Sequence, residues 1–379
     1  MLLCGIDDIQ PGMSIAAAVM HPERPETELV KPGYMLDNRL IGRLKDFGVE
    51  RIWIDHDATQ DLDSKIKVGP SPGHQAMYER LKGSIRDAAS ATISAGDVMS
   101  YRQAVMDMVC ELMASPALAA LAERMNRSDD GEMLRHSANV AYLSILVALE
   151  METYIIQQRP KLAVEHAKDL TALGIGAMLH DIGKIAEPDK HARALNALAE
   201  HRTFEQDLSD ETPPIEAGLL VARDAYRNHC VVGYHLLEKA NAPASARQIV
   251  LTHHQRWDGQ GFPDLQEVTR GRQTGTQSQE KIHIFSRIVA AADLLDHLLH
   301  EANEGGQPII AALKTFRADE FQSWMDPVIR DAVLRSIPPF AVGSHVRLSD
   351  GRAAAVIAPN PIQPCRPVLR ELEEEGKDA

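Results

Sequence analysis

The sequence predicts a mainly α protein, in which a helical central region lies between a small N-terminal α+β module and a short C-terminal β extension. Two observations predict the helices. Apolar residues recur at helical spacing across residues 131–340, and the composition is aliphatic, with only 4% aromatic residues. A third observation places the β structure near the two ends, because the strand-like runs are found there.

Composition and charge limit the classes of function. The chain has 379 residues, enough for two or three domains, and its 44% hydrophobic and 25% charged residues are ordinary for a globular protein. A formal charge of −14 would repel nucleic acid, so we expect no DNA or RNA partner. An anionic substrate would need local positive charge from metal ions or from a few Lys and Arg side chains.

Cysteine usage and hydropathy indicate the compartment. Four cysteines without paired spacing argue for a reducing environment and against a disulfide framework or a zinc finger. The N-terminus has no basic segment before an apolar run, as a signal peptide would have. No apolar stretch approaches the roughly 18 residues of a membrane span. We therefore expect a cytoplasmic protein without a membrane span.

The N-terminal module is expected to occupy residues 1–60. Residues 14–20 and 51–54 are strand candidates because they are short apolar runs rich in β-branched and aromatic side chains. Residues 38–47 are predicted to form a short helix between turn signals.

Three further segments follow the module. Residues 61–127 are expected to hold a linker and helices, and residues 128–340 are expected to form the domain that carries nearly all the metal-capable side chains. Residues 341–379 are expected to form the β extension, with strands at 345–348 and 353–357, and an acidic tail.

The pair His180-Asp181 stands near the end of a helix that is predicted to run through the core. The apolar face of this helix follows the i, i+3, i+4, i+7 pattern and consists of Ile175, Met178, Leu179 and Ile182. An imidazole suits Zn, Fe or Mn, and a carboxylate can bridge two cations. Lys184 lies one turn after His180, where its ammonium could meet a phosphate. The same dipeptide occurs at His56-Asp57, but no other potential metal ligands lie near it in the sequence, so it is interpreted as part of a loop.

Four other motifs could supply partners for this pair. In chain order they are Glu132 with His136 at i, i+4, then His229, then His253 with His254, and finally Asp293. Most of these residues, taken singly, are more typical of a surface pair or a satisfied core residue than of a metal ligand. The adjacent histidines are less common by chance, because they end an apolar helix and precede an Asp-Gly-x-Gly-x-Pro turn.

The order of these motifs resembles the HD-GYP branch of the HD superfamily of metal-dependent phosphohydrolases, over residues 128–340. Residues 11–14 with 48–51, and residues 342–348, resemble the small domains that often flank it. The resemblance implies an all-helical domain that holds two or three Fe or Mn ions. It also implies hydrolysis of cyclic di-GMP to linear pGpG or GMP by a metal-bridged hydroxide.

The resemblance assigns roles to individual residues. Asp181 would bridge two metals, and His180, Asp181 and Lys184 would be catalytic, with Lys184 holding a substrate phosphate. The implied metal ligands are Glu132, His136, His180, Asp181, His229, His253, His254 and Asp293. The implied substrate-binding residues are Lys184, Asp258, Gly259, Gly261, Phe262 and Pro263. This chemistry also makes sense without the resemblance. A paired-metal site about 4 Å across supplies both the nucleophile and the charge neutralisation that phosphodiester hydrolysis needs.

The chain departs from the family pattern where substrate is recognised. Phe262 replaces the tyrosine of Gly-Tyr-Pro, and Gln255 replaces the glutamate that usually follows the two histidines. The family has a basic stretch after the Ala-Asp motif, but residues 302–305 here read Ala-Asn-Glu-Gly. Arg270 and Arg272, in a long loop, could supply the missing positive charge.

Alternatives stay open at this point. The chain could be a phosphodiesterase, a nucleotide receptor or scaffold that keeps the metals without turnover, or a hydrolase of another phosphoester. The partners considered are cyclic di-GMP or a related dinucleotide, a signalling protein that docks at the Gly-Phe-Pro region, and a second copy in a homodimer. His235, His283 and His297 match no ligand position, although His297, one turn after Asp293, is the strongest exception.

Overall fold

A computed structural model gives the fold over most of the chain. The predictions for Arg270, Arg272 and the acidic tail from residue 373 fall outside the described residues, and so does the side chain of Glu132. The structure describes residues 1–22, 24–64, 66, 73, 76–81, 93–114, 132–186, 223–266, 275–304, 309–360, 363 and 365–372.

The N-terminal module pairs four short strands around one helix. Strand β1 (Leu2–Gly5) lies antiparallel to β4 (Arg51–Ile54), and β2 (Val19–His21) lies antiparallel to β3 (Arg24–Val30). Helix α1 (Asn38–Asp46) begins where the Asp37 side chain accepts a hydrogen bond from a backbone N–H of the first turn. The strand expected at residues 14–20 is shorter than predicted, because its first residues form only isolated bridges to other segments.

The central region is helical, as the apolar spacing predicts. Its core is aliphatic and buries the inner faces of nearly every helix. Its helices are α2 (Ala95–Ala114), α3 (Glu132–Glu150), α4 (Glu152–Gln158), α5 (Val164–Ala167), α6 (Thr171–Met178), α7 (Ile182–Ala186), α8 (His229–Lys239), α9 (Ala244–Thr252), α10 (Ile284–Glu304), α11 (Ile309–Phe316), α12 (Asp319–Gln322) and α13 (Pro327–Ser336).

Helix α6 lies at the centre of this region and packs against α2, α3 and α9. Its residues from Leu173 to Met178 are all buried. Two glycines allow the neighbours to approach, because a Cβ at Gly174 would collide with Val105 and one at Gly176 with Ile249. The end of α6 is therefore held deep in the core, and it carries the His-Asp pair there.

A helix must be long and apolar to cross a membrane. Among the described residues, no single helix is both long and apolar enough to cross a membrane. Only α3 and α4 counted together reach that length and composition, and they are bent by 89° where they join.

The C-terminal extension folds back onto the N-terminal module. Strands β5 (His345–Arg347), β6 (Ala353–Ala358) and β7 (Val368–Glu371) form an antiparallel sheet in that order. The backbone N–H of Leu3 donates to Gly343 O at 2.7 Å, and Ala355 and Leu372 belong to the same apolar core as the N-terminal strands. The two ends of the chain thus share one small β-rich unit.

Candidate metal centre

Five elements bring the predicted metal ligands together. His136 lies on α3, His180 and Asp181 in the turn between α6 and α7, and Asp293 on α10. The second set comes from α8, which begins at His229, and from the end of α9, which is followed by His253 and His254. Of these side chains, only that of His254 is more than slightly exposed. Glu132 begins α3, but its side chain is not described.

A close approach between α7 and α8 positions the two sets. A Cβ at Gly183 would collide with the carbonyl oxygen of His229. Only glycine leaves room for the two backbones at this distance. The glycine after the His-Asp pair therefore sets how near His229 comes to Asp181. The dipeptide His56-Asp57 lies in the N-terminal module instead, where His56 caps a short 3-10 helix, so it has no part in the centre.

The donors form two groups. In the first, His136 Nε2 lies 3.2 Å from His180 Nε2 and 3.0 Å from Asp293 Oδ1. In the second, His229 Nε2 lies 3.4 Å from His253 Nε2. Two nitrogens bound to one ion at about 2.0–2.1 Å lie about 3.0–3.4 Å apart for ligand angles between square and tetrahedral. Both pairs have the spacing of ligands that share an ion.

Asp181 lies between the two groups. Its Oδ2 is 3.8 Å from His136 Nε2 and 3.5 Å from His180 Nε2. Its Oδ1 is 3.4 Å from His229 Nε2 and 3.7 Å from His253 Nε2, and this buried oxygen accepts no hydrogen bond from any described residue. Each carboxylate oxygen therefore faces one group, which is the arrangement that a bridging ligand requires.

Backbone carbonyl groups fix the tautomers of three histidines through the ring nitrogens that point away from the cluster. The Nδ1 atoms of His180, His229 and His253 each lie near the carbonyl oxygen three residues earlier, at 2.8, 2.6 and 3.0 Å. A carbonyl can only accept, so each Nδ1 carries the hydrogen and each Nε2 turns its lone pair inward. The facing lone pairs of His229 Nε2 and His253 Nε2, 3.4 Å apart, repel unless a cation lies between them. The donor set therefore fits a transition metal.

His136 is oriented by a carboxylate rather than by a carbonyl. Its Nδ1 lies 2.8 Å from Asp296 Oδ2, and Asn139 donates to the other oxygen of that carboxylate at 2.8 Å. Carboxylates in this position strengthen a histidine ligand. The sequence analysis assigned no role to Asp296. The available signal was a second aspartate one turn after Asp293 on an apolar helix. His297, the exception noted from sequence, lies 3.3 Å from Asp293 Oδ1 through its Nε2.

The electrostatics favour neutral imidazoles and ionised carboxylates. Burial lowers the pKa of His180 to about 4, and it holds the pKa values of His229 and His254 well below the usual value. Burial opposes the charge on Asp181, but Lys184 and His180 overcome it and keep the pKa of that carboxyl well below its usual range. These are the protonation states that metal ligands need at neutral pH.

His136 differs from the other histidines. Burial favours its neutral form, but the hydrogen bonds and charges of Asp293 and Asp296 outweigh burial and raise its pKa to about 10. The negative charge around His136 thus demands a cation, which a proton or a metal ion can supply.

Lys184 contacts the predicted bridging carboxylate. Its Nζ donates to Asp181 Oδ2 at 2.6 Å and lies 5.4 Å from the centre of the Tyr226 ring. The side chain is 11% exposed, so the ammonium lies at the edge of the donor cluster. Its contact with a substrate phosphate stays a prediction.

An open pocket lies beside the centre and is lined in part by His253, His254 and Asp293. Phe262 stacks on His254, with ring centroids 4.4 Å apart. Two arginines that the sequence analysis did not single out also line the cavity. The Arg227 guanidinium lies 5.1 Å from the Phe262 ring centre, and that of Arg256 lies 4.0 Å from the Trp324 ring centre.

The predicted substrate loop is held by internal contacts. Asp258 accepts hydrogen bonds from Arg256 at 2.5 Å and from Ser323 at 2.9 Å. A Cβ at Gly261 would collide with the backbone of residues 254–256, and Gly259 has a positive φ of 85°. Whether these residues and Pro263 touch substrate stays a prediction.

Gln255, a departure from the family pattern, has a structural role. Its Nε2 donates to Pro263 O at 2.7 Å, while its Oε1 accepts from the backbone N–H of Gln277 at 2.6 Å. An ionised glutamate could not make the first of these bonds, because it has no hydrogen to donate.

The sequence of the central region is similar to that of known proteins. Residues 133–298 match the family model of the HD domain. A cyclic di-GMP phosphodiesterase of Pseudomonas aeruginosa is 27% identical over 355 residues, which cover 86% of this chain and 74% of that protein.

Two other relatives align with a shorter segment. Cyclic di-GMP phosphodiesterases of Thermotoga maritima and Vibrio cholerae are each 28% identical, over 177 and 188 residues, or 45% and 49% of this chain. The aligned segments cover 35% and 32% of those proteins, so the chain spans only about a third of their length.

Proposed function

We propose that this chain belongs to the HD-GYP branch of the HD domain family and is a metal-dependent phosphodiesterase that hydrolyses cyclic di-GMP to linear pGpG, GMP or both. One observation carries the proposal. The inward-facing Nε2 atoms form two pairs at 3.2 and 3.4 Å, with Asp181 between them. This arrangement supports a bridged metal centre, a kind of site that can hydrolyse phosphodiesters.

Two or three Fe or Mn ions are the proposed cofactors. His136, His180 and Asp293 would hold one ion, His229, His253 and His254 another, and Asp181 would bridge them. When bound, the ions activate water and neutralise the phosphoryl oxygens. Glu132, which begins α3 one turn before His136, is a proposed further ligand.

The chain's own residues would bind and orient the substrate. Arg227 and Arg256 bring positive charge to the cavity wall beside His254 and Phe262, where a dinucleotide phosphate would need it. They offer a replacement for the basic residues that the family carries after its Ala-Asp motif. Lys184 would hold the phosphate nearest Asp181, and Phe262 offers a ring face on which a base could stack.

An enzyme is favoured over a receptor or scaffold because the relative that aligns with 86% of this chain is named a cyclic di-GMP phosphodiesterase. A receptor would bind cyclic di-GMP without producing linear pGpG or GMP, and a hydrolase of another phosphoester would leave cyclic di-GMP intact. A signalling protein partner at Gly-Phe-Pro and a homodimer stay predictions. The four cysteines, whose spacing in the sequence is unpaired, support the proposed cytoplasmic location.

Product analysis tests the function. Mn- or Fe-loaded protein is incubated with cyclic di-GMP, and the nucleotides are separated by chromatography. Linear pGpG or GMP is expected from the wild type and not from Asp181→Ala. Asp57→Ala is the matched control, because it removes the aspartate of the other His-Asp pair, and it should retain activity. Intact cyclic di-GMP after incubation with wild-type protein that has bound metal would overturn the proposal.

A further inference from the structure

We propose that Cys230 is a thiolate ligand to the ion held by His229, His253 and His254, a role that rests on the proposed metal centre. Cys230 lies on α8 directly after His229, and it is fully buried. Its Sγ is 3.4 Å from His229 Nε2. One donor atom from each of the four residues lies within 4.8 Å of all the others, so the sulfur belongs to the same cluster as the three imidazoles.

The distance fits a shared ion. A sulfur at about 2.3 Å and a nitrogen at about 2.1 Å from one ion lie about 3.1 Å apart at a right angle and about 3.6 Å apart at the tetrahedral angle. The separation of 3.4 Å between Sγ and His229 Nε2 falls between these limits. It equals the separation between His229 Nε2 and His253 Nε2, which is also 3.4 Å.

A second donor points to the same place. Asp181 Oδ1 is buried, has no hydrogen-bond partner within the described part of the chain and lies 3.4 Å from His229 Nε2. A buried carboxylate oxygen without a partner is unfavourable unless a cation compensates it. The same position therefore collects imidazole, carboxylate and sulfur donors from three segments of the chain.

A thiolate would make the two halves of the centre chemically different. Coordination replaces the S–H bond of Cys230 by a sulfur–metal bond, and the proton leaves to solvent. Soft thiolate ligands favour Zn and other thiophilic ions, whereas oxygen donors suit Mn. The group around His136, His180 and Asp293 has no sulfur among its described donors. We therefore expect the half that contains Cys230 to bind Fe or Zn more tightly than Mn, although Mn can still occupy it at high concentration.

Cobalt substitution tests the proposal directly. Protein reconstituted with Co(II) is examined by absorption spectroscopy, because a cysteine thiolate bound to Co(II) gives a sulfur-to-metal charge-transfer band in the near ultraviolet. Wild-type protein is expected to show this band, and Cys230→Ala is expected to lose it while the visible cobalt bands remain. Cys4→Ala is the matched control, because Cys4 is also buried but lies in the N-terminal module, and it should keep the band.

A second variant keeps the test decisive if Cys230→Ala does not fold. The triple variant Cys4→Ala, Cys110→Ala, Cys365→Ala leaves Cys230 as the single cysteine of the chain and is expected to retain the band. In competition between Zn and Mn, Cys230→Ala should lower the preference for Zn by at least about tenfold.

The outcomes separate this proposal from the proposed function. Bound Co(II) with visible bands but no charge-transfer band in the wild type would show that Cys230 only fills space, and the metal centre would stand. A band that survives in Cys230→Ala would also overturn the proposal. Failure of the folded wild-type protein to bind Co(II) at all would contradict both the cysteine ligand and the metal centre.

Discussion

Carbonyl oxygens hold three of the clustered histidines by their outer nitrogens, and the Asp296 carboxylate holds the fourth, His136. This difference matters because a carboxylate raises the basicity of its histidine more than a neutral carbonyl does. The individual residues could be predicted from motif order, but their orientation could not, since Asp296 has no sequence signal beyond its spacing from Asp293. The assignment of each residue as a ligand stays a prediction.

Removal of the carboxylate partner of His136 should weaken metal binding. Asp296→Asn is expected to reduce metal affinity by about ten- to a hundredfold, because outer partners of histidine ligands typically have effects of this size. Metal content after dialysis against graded chelator measures it. Asp331→Asn, which changes an exposed aspartate on α13, should leave affinity unchanged. Equal affinity in Asp296→Asn and wild type would show that Asp296 does not support the site.

Arg227 is predicted to hold substrate rather than to act on the reacting group. Arg227→Ala should raise KM for cyclic di-GMP by roughly ten- to a hundredfold and change kcat little, since a charged hydrogen bond contributes about 1.5–3 kcal/mol. Steady-state kinetics with Arg223→Ala, one turn earlier and outside the cavity lining, provide the comparison. A KM that is unchanged in Arg227→Ala would remove this arginine from the substrate site.

At the scale of elements, the contacts between short helices position the site. The turn between α6 and α7 presents His180 and Asp181, and the close approach of α7 to α8 brings His229 to them. The sequence analysis predicted a helix end at the His-Asp pair, and α6 ends there. It could not predict the approach of the two helices, because a lone glycine does not identify its neighbour.

A methyl group at Gly183 should disrupt the centre without unfolding the other domains. Gly183→Ala is expected to lose metal from the group around His229, because α7 and α8 must move apart to remove the collision. Gly42→Ala on α1 is the matched control, since no atom lies within 4 Å of its Cβ position. Metal analysis and circular dichroism of both variants check the result. Full metal content in Gly183→Ala would contradict the proposed packing constraint.

His283 couples pH to the stability of the helix that carries Asp293. It precedes α10, and its Nδ1 accepts a hydrogen bond from Phe285 N at 3.2 Å. Burial, with the charges of Arg159 and Arg287, lowers its pKa from 6.5 to about 4. Below pH 6.5 the unfolded chain takes up this proton before the folded one does, so stability is lost as the pH falls from 6.5 towards 4.

The size of this effect on stability can be measured with a variant that keeps a hydrogen-bond acceptor for Phe285 N at the start of α10. His283→Asn preserves a side-chain acceptor before α10 but does not titrate. Between pH 7 and pH 5, the free energy of unfolding of the wild type should fall by about 2 kcal/mol more than that of the variant. Urea titrations in the presence of chelator measure the difference. Parallel losses in the two proteins would show that His283 does not contribute.

At the scale of the whole molecule, the mainly α fold is confirmed, and the match of residues 133–298 to the HD domain family model supports the expected resemblance. Both depend on local patterns, namely apolar spacing and motif order, which a single sequence carries. The joining of the first and last strands into one unit was not predicted, because the contact of Leu3 with Gly343 links residues far apart in the chain. The cavity arginines were missed for the same reason.

The number of metal ions per chain tests the central claim most directly. Protein purified without oxygen is analysed for transition metals, together with Asp181→Ala and the control Asp57→Ala. Because Asp181 faces both donor groups, the wild type and Asp57→Ala should contain at least two ions per chain, and Asp181→Ala should lose metal from both groups. One ion or none in the wild type, or a full complement in Asp181→Ala, would contradict a bridged centre.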